Sequence, residues 1–501
     1  MLATTLSASV VGVEGVPVRV EVDVAFGLPG LTIVGLAGSA VLESRERVRA
    51  ALRNSGFEVP ARRITINLAP ADLPKEGTGH DLAMAAGILV ASDQLDGARV
   101  ASTALIGELA LDGSLRPIPG AIALVAAARL AGARDAILPA DSAAEGAAVG
   151  SVRVHGAHSF REVTRHLAGV EELAVIAAPA HHAGLASDEA PDLASVVGQV
   201  AARRALEIAV AGRHNIAFTG PPGVGKTMLA RAAEGLLPLL EDREASEVSR
   251  IHSVAGTAQP RDPLSLRRPF RAPHHTISTQ ALVGGGPRVR PGEASLAHRG
   301  ALFLDETLQF RGDALDALRG PIDSGAVTIA RVDGVVELPA RFMLLAAYNP
   351  CPCGWFGLDG HECTCEDGAR RRYQARLSGP MRDRLDMIVP LEPVGRMHRV
   401  QRSEPTSAVA ARIARATAVQ AERQGRMNAE LSPASIDAEA GMDRSLRSML
   451  DGLGMRMGLS MRRLHRAARV ARTIADLDGS EAVRPDHLNE ALVHRPKELR
   501  A

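Results

Sequence analysis

Valine occupies every second position in Val16-Pro17-Val18-Arg19-Val20-Glu21-Val22-Asp23-Val24, with mostly charged residues between. That period of two predicts a half-buried strand. A turn at Gly27-Leu28-Pro29-Gly30 and an apolar strand over 31–35 follow. Over 38–56 the spacing changes to a helical one, with Val41, Val48 and Leu52 on one face and Glu43, Arg45 and Arg47 off it. Further on, the pattern predicts strands over 64–68 and 104–108 and helices over 82–91 and 121–131. Strands and helices mixed in this way predict a compact α+β domain over 1–168.

Residues 169–191, rich in Ala, His, Gly and Pro without a clear period, are expected to be a linker. A second unit, 192–396, is patterned differently. Residues 214–219 read as a strand, and the apolar runs over 301–306 and 342–349 each end in polar residues, as buried strands of a parallel α/β sheet do. Helices are expected over 201–211, 228–234 and 312–319, and a hairpin over 326–339 with its turn at Asp333-Gly334. The stretch 250–300 shows no period and is expected to be irregular. From 397 to 501 the pattern is all helical, with helices over 408–424, 461–477 and 485–493. The chain therefore reads as an α/β multidomain protein: an α+β domain, a parallel-sheet α/β core and a helical C-terminal domain.

Composition narrows the functional classes. The 501 residues carry a net charge of +1, so no global field recruits nucleic acid and any such binding is local. Aromatic residues make up 2% of the chain, which argues against base stacking as the main mode of single-strand recognition. No apolar run approaches a membrane span, and the N-terminus lacks a basic segment of the signal-peptide kind. Four cysteines, all between 351 and 365, do not resemble a secreted disulfide framework. A cytoplasmic protein is expected.

Gly220-Pro221-Pro222-Gly223-Val224-Gly225-Lys226-Thr227 fits the phosphate-binding loop pattern between a predicted strand and a helix that opens near Met228. Glycines let successive N–H groups point at one anion. Lys226 would reach the β- and γ-phosphates of ATP, and the Thr227 hydroxyl would take a Mg²⁺ position. About 80 residues on, the run Ala301-Leu302-Phe303-Leu304 ends in Asp305 and Glu306. Asp305 would orient Mg²⁺, and Glu306 would polarise the attacking water. Cys351-Pro352-Cys353 and Cys363-Thr364-Cys365 enclose a nine-residue loop, and His361 lies within it. Four thiols so close suggest a tetrahedral structural Zn²⁺ site, with a labile disulfide pair or free thiols as alternatives and His361 as a substitute ligand. Between 261 and 299 seven arginines face Asp262 and Glu293, a net charge of +5. Mobile basic loops touching nucleic-acid phosphates are one reading of that segment; a solvated basic surface or an inter-subunit contact is the other. His274 and His275 are adjacent and are expected to be structural.

Two resemblances follow. Lys75-Glu76-Gly77-Thr78-Gly79-His80-Asp81 and Ile106-Gly107-Glu108-Leu109-Ala110-Leu111-Asp112-Gly113 resemble the proteolytic domain of the Lon family. The Ser–Lys dyad of that family falls on Gly79 and Ile122, neither of which can act as nucleophile or base, so no peptidase is expected. Pro273-His274-His275-Thr276, Asn349-Pro350-Cys351-Pro352-Cys353-Gly354 and Val470-Ala471-Arg472-Thr473-Ile474-Ala475-Asp476-Leu477 resemble the magnesium-chelatase-like AAA+ ATPases of the ComM/YifB type. That resemblance implies a hexameric homo-oligomer that hydrolyses ATP and remodels DNA, as in branch migration with recombination proteins as possible partners. The alternative is a motor that remodels a protein. It also implies an adenine-side element at Gly198-Gln199 and a sensor beside the γ-phosphate at Asn349. Arg384, or else Arg382, would reach a neighbour's nucleotide, and Arg462 would be a second sensor from the helical lid. Where the family usually has Leu-Pro-Glu after the paired acids, this chain has Thr307-Leu308-Gln309.

Overall fold

The computed structural model describes residues 1–180, 190–258, 264–287, 289–331, 334–358, 360–393, 404–439 and 441–494. The first ten strands are β1 (Leu2–Val11), β2 (Glu14–Ala25), β3 (Gly30–Val34), β4 (Arg63–Ala69), β5 (Thr103–Leu105), β6 (Glu108–Leu109), β7 (Leu115–Arg116), β8 (Asp135–Pro139), β9 (Arg153–Ala157) and β10 (Val175–Ile176). Eight of them form one sheet in the order β10-β9-β8-β5-β1-β2-β4-β3, and β6 and β7 pair separately. The valines of β2 that alternate in sequence are the buried ones: Val18, Val20 and Val22 are wholly enclosed. They pack under helices Ser39–Asn54 and Asp81–Ala91, whose apolar residues join the same core.

The strand β1 escapes the sequence reading because its threonines and serines blur the alternation. Thr5, Ser7 and Ser9 are nonetheless buried. The strand β10 lies inside the stretch expected to be a linker and pairs with β9, so this sheet continues past residue 168. Residues 181–189 of that stretch, and the boundary expected at 396–397, lie outside the described residues.

The second unit contains β11 (Ile216–Thr219), β12 (Phe270–Arg271), β13 (Gly284–Gly285), β14 (Arg290–Pro291), β15 (Ala301–Leu304), β16 (Ala326–Arg331), β17 (Gly334–Pro339), β18 (Met343–Tyr348) and β19 (Met387–Pro390). Five of these make an all-parallel sheet in the order β12-β15-β18-β11-β19. The apolar runs are buried on both faces, as a parallel sheet covered by helices requires. The expected hairpin is β16–β17, although Asp333 of its turn lies outside the described residues. The segment 250–300 is less irregular than expected. Helix Asp242–Ala255 runs into it, and short helices Thr279–Val283 and Glu293–Leu296 flank the β13–β14 pair.

Helices Thr406–Gln424, Arg444–Met457, Met461–Leu477 and Pro485–Val493 form most of the C-terminal domain. Their buried residues share one core with helix Val200–Gly212 and β11. Among the described residues no helix is long and apolar enough to cross a membrane.

The first domain is docked on the second. Gly120 N donates to Ser253 O at 2.9 Å, and Glu14 pairs with Arg250. Val13, at the β1–β2 turn, is buried in the same cluster as Val327 and Leu338 of the hairpin.

Within the first domain the two Lon-like motifs meet: Gly107 N donates to Gly79 O, and Leu109 N to Asp81. The nearest hydroxyl–imidazole pair, Ser7 and His80 at 2.9 Å, is wholly buried and therefore structural. Burial, aided by the charge of Lys75, depresses the His80 pKa to about 4. The folded domain thus keeps His80 neutral, whereas the unfolded chain takes up a proton below about pH 6.5. The stability this contributes is complete above about 6.5 and is lost as pH falls toward about 4, by up to about 3 kcal/mol. Thermal unfolding from pH 7 to 4.5 should show a shallower loss in His80→Asn than in the parent; equal slopes would contradict it.

Candidate nucleotide site

The phosphate loop joins β11, which lies between β18 and β19, to helix Lys226–Ala232. Gly223 and Gly225 have φ of 81° and 93°, values that side chains with a Cβ rarely adopt, so these two glycines are required by the turn. Lys226 is buried, and its Nζ donates to Gly220 O at 2.8 Å, Pro221 O at 2.7 Å and Asn349 Oδ1 at 2.9 Å. Burial lowers its pKa, opposed by the charges of Asp305 and Glu306. Thr227 Oγ1 donates to Asp305 Oδ2 at 2.9 Å, and the other Asp305 oxygen accepts from Glu306 N. Lys226, Thr227, Asp305 and Asn349, drawn from three neighbouring strands, therefore converge on one point above the carboxyl end of the sheet. Ligands of open α/β sheets bind there.

Glu306 has φ of 47°, a left-handed conformation unusual outside glycine, and its side chain is 65% exposed. Strain of this kind gathers at functional positions. His275 Nδ1 stands 3.7 Å from the Glu306 carboxylate, with its ring against those of His274 and Phe310. The sequence reading missed this neighbour. The motif was visible, but only the loop after β12 turns the imidazole toward β15.

Gln199, also left-handed, donates from Nε2 to Val224 O at 3.3 Å and Glu392 O at 2.8 Å, which sets Gly198-Gln199 against the phosphate loop. Met228 is partly exposed, with its sulfur 3.9 Å from Ser195 Oγ. Arg384 is engaged within its own chain, paired with Asp323 and donating to Pro380 O at 2.6 Å. Arg382 makes no such pair among the described residues. Arg462 is exposed, and ion pairs of its neighbours, Arg463–Asp383 at 2.9 Å and Arg466–Asp386 at 3.2 Å, hold the start of its helix on the 382–386 segment.

The basic segment is less basic than its sequence window suggests. Arg268 is buried on Glu244, Arg271 forks onto Glu293, and Arg299 pairs with Glu247. Two of those acids, Glu244 and Glu247, lie outside the 261–299 window, on helix Asp242–Ala255. Arg290 is left exposed on β14, while Arg261 and Arg288 lie outside the described residues. Arg331 on β16 donates to Gly286 O and Pro287 O, which joins the two hairpins.

The four cysteines are free thiols whose sulfurs all lie within 4.8 Å of one another. Three of the separations are 3.3, 3.6 and 3.7 Å. A tetrahedral Zn²⁺ with Zn–S bonds of about 2.3 Å places its sulfurs about 3.8 Å apart, so the thiols fit the ion. The ring of His361 is stacked on Trp355 at 4.2 Å, and His361 is not one of the four clustered donors.

The magnesium chelatase, subunit ChlI, family matches residues 192–399, its ChlI subunit domain 20–142 and its C-terminal domain 403–495. The competence protein ComM of Haemophilus influenzae is 41% identical over 99% of this chain and 97% of its own length. The chain belongs to the magnesium-chelatase-like AAA+ family of the ComM/YifB type. Another member, the uncharacterized protein YifB of Salmonella typhimurium, is 42% identical over 99% of this chain and 97% of its own. Similarity also reaches the magnesium-chelatase 67 kDa subunit of Heliobacterium mobile, at 28% identity over 34% of this chain and 29% of that one. Membership in this AAA+ family supports an ATPase.

The Thr227–Asp305 contact makes a specific prediction. Thr227→Ala should weaken Mg²⁺·ATP binding about tenfold while leaving metal-free ATP binding unchanged, since only the metal position is lost. Calorimetric titration with and without EDTA would show it; equal losses in both would contradict the assignment.

Proposed function

We propose that this protein hydrolyses ATP as a homo-oligomeric ring, a hexamer, and uses the cycle to remodel DNA. The observation that carries the hydrolase is the convergence of Lys226, Thr227, Asp305 and Asn349 beside the strained Glu306. Lys226 would turn from its carbonyl partners to the β- and γ-phosphates. Mg²⁺, held by Thr227 and Asp305, would supply charge neutralisation between those phosphates. Glu306 would polarise the attacking water, with Asn349 beside it. Arg382 or Arg384, on a segment that the helix of the exposed Arg462 touches through Arg463 and Arg466, would act toward a neighbour's site. The four cysteines would hold a structural Zn²⁺.

The DNA reading is supported by similarity to a competence protein along the whole chain and by the two hairpins joined through Arg331, with Arg290 exposed beside them. Branch migration in recombination is the form of remodelling that the family resemblance suggests. A motor acting on a protein partner is the second reading, favoured by the similarity to a magnesium-chelatase subunit.

ATP turnover measured with and without forked or single-stranded DNA, across a salt series, tests the proposal. The expected result is stimulation by DNA, together with DNA binding that weakens as salt rises. Glu306→Gln should retain ATP binding and lose turnover at least about a hundredfold. Absence of both stimulation and salt-sensitive binding would overturn the DNA reading and leave the hydrolase intact. Stimulation by a captured protein instead would carry the second reading.

A further inference from the structure

The segment that supplies Asn349 touches the phosphate loop a second time. One proline separates Asn349 from Cys351, the buried member of the thiol cluster. Gly354 closes the first cysteine turn with φ of 88°, its N–H donating to Cys351 O at 3.0 Å. A Cβ on Gly354 would stand 2.6 Å from Pro222 Cδ and 3.6 Å from Pro222 N. The cysteine turn thus forms a wall directly against the phosphate loop.

The turn is itself tied down. Cys353 N donates to Cys365 Sγ at 3.3 Å, and Phe356 N to Cys351 Sγ at 3.4 Å. Arg370, on the following helix, lies over the Phe356 ring at 4.0 Å, and Gln374 donates to Pro350 O at 3.0 Å. Two contacts therefore run from one short segment to one loop: Asn349 to Lys226, and Gly354 to Pro222.

We propose that the four thiolates bind one Zn²⁺ and that the metal-locked turn is a clamp which sets the conformation of the phosphate loop, so that zinc occupancy governs nucleotide affinity. The proposal rests on the nucleotide reading of Lys226 and adds a metal-dependent support to it. The chemistry of the donor set selects the ion: four clustered thiols prefer a soft-accepting, tetrahedral metal, and Zn²⁺ needs no redox partner. Held by zinc, the turn Cys351–Gly354 forms a fixed backing for Pro222 and keeps Asn349 on Lys226. Without it, the two cysteine turns are held together by weak sulfur hydrogen bonds such as Cys353 N to Cys365 Sγ, and the wall loses its strongest anchor.

The test uses the full-length protein purified under reducing conditions without chelator. Metal analysis should find about one zinc per chain. Removing it with a mercurial thiol reagent and chelator, then restoring thiols, should weaken binding of a fluorescent ATP analogue at least about tenfold, and added Zn²⁺ should restore it. Gly354→Ala keeps all four ligands. It should retain full zinc yet bind the analogue about tenfold more weakly, because the new methyl pushes on Pro222. Finding zinc but unchanged affinity after stripping would overturn the clamp, whatever Gly354→Ala shows. Finding no zinc would overturn the metal site. Failure of the untreated, zinc-loaded protein to bind ATP would overturn the nucleotide reading, which the metal count reads separately.

Discussion

A buried ammonium organises this molecule. Lys226 cannot be desolvated without several oxygen partners, because an unpaired charge in a closed interior costs several kcal/mol. The fold supplies three: two carbonyls of the phosphate loop and the amide oxygen of Asn349. Meeting that demand forces β11 and β18 to be neighbours with their carboxyl ends level, and their parallel register, Thr219 opposite Tyr348, does this. The adjacent β15 then brings Asp305 to Thr227. The convergence of Lys226, Thr227, Asp305 and Asn349 is a consequence of how one cation is satisfied.

Those interactions explain which parts were legible in the sequence. Buried parallel strands read as short apolar runs with polar last residues, so Asp305 and Glu306 stood out as candidates from the pattern, whereas Asn349 was singled out through the family resemblance. The glycines of the loop were legible because only glycine tolerates the φ values at 223 and 225. Position and pairing in space were not. His275 reaches Glu306 only because a loop folds back after β12, and no spacing rule encodes that. The charge of the basic segment was overestimated because two of its acidic partners sit on helix Asp242–Ala255, outside the window counted. The buried strand β1 carries hydroxyl residues where apolar ones were sought. Two of those hydroxyls are satisfied internally, Thr5 by Ala83 O and Ser7 by His80.

The first domain and the hairpin are physically continuous. Val13, from the first sheet, is buried with Val327 and Leu338, and a Cβ on Gly12 would meet Val336 at 2.9 Å. The first domain is therefore a packing neighbour of the hairpin. Arg331 carries the connection onward to β13–β14. Displacement of either hairpin is thus resisted by packing on one side and hydrogen bonds on the other.

The central claim is that Lys226, held between the phosphate loop and Asn349, forms the nucleotide site. Equilibrium binding of Mg²⁺·ATP to the parent and to Lys226→Ala tests it most directly, with the unfolding of the first domain followed as a control for integrity. One site per parent chain, at least about a hundredfold weaker in the variant with the control unchanged, is the predicted result. Undiminished ATP binding in a folded Lys226→Ala protein would contradict it.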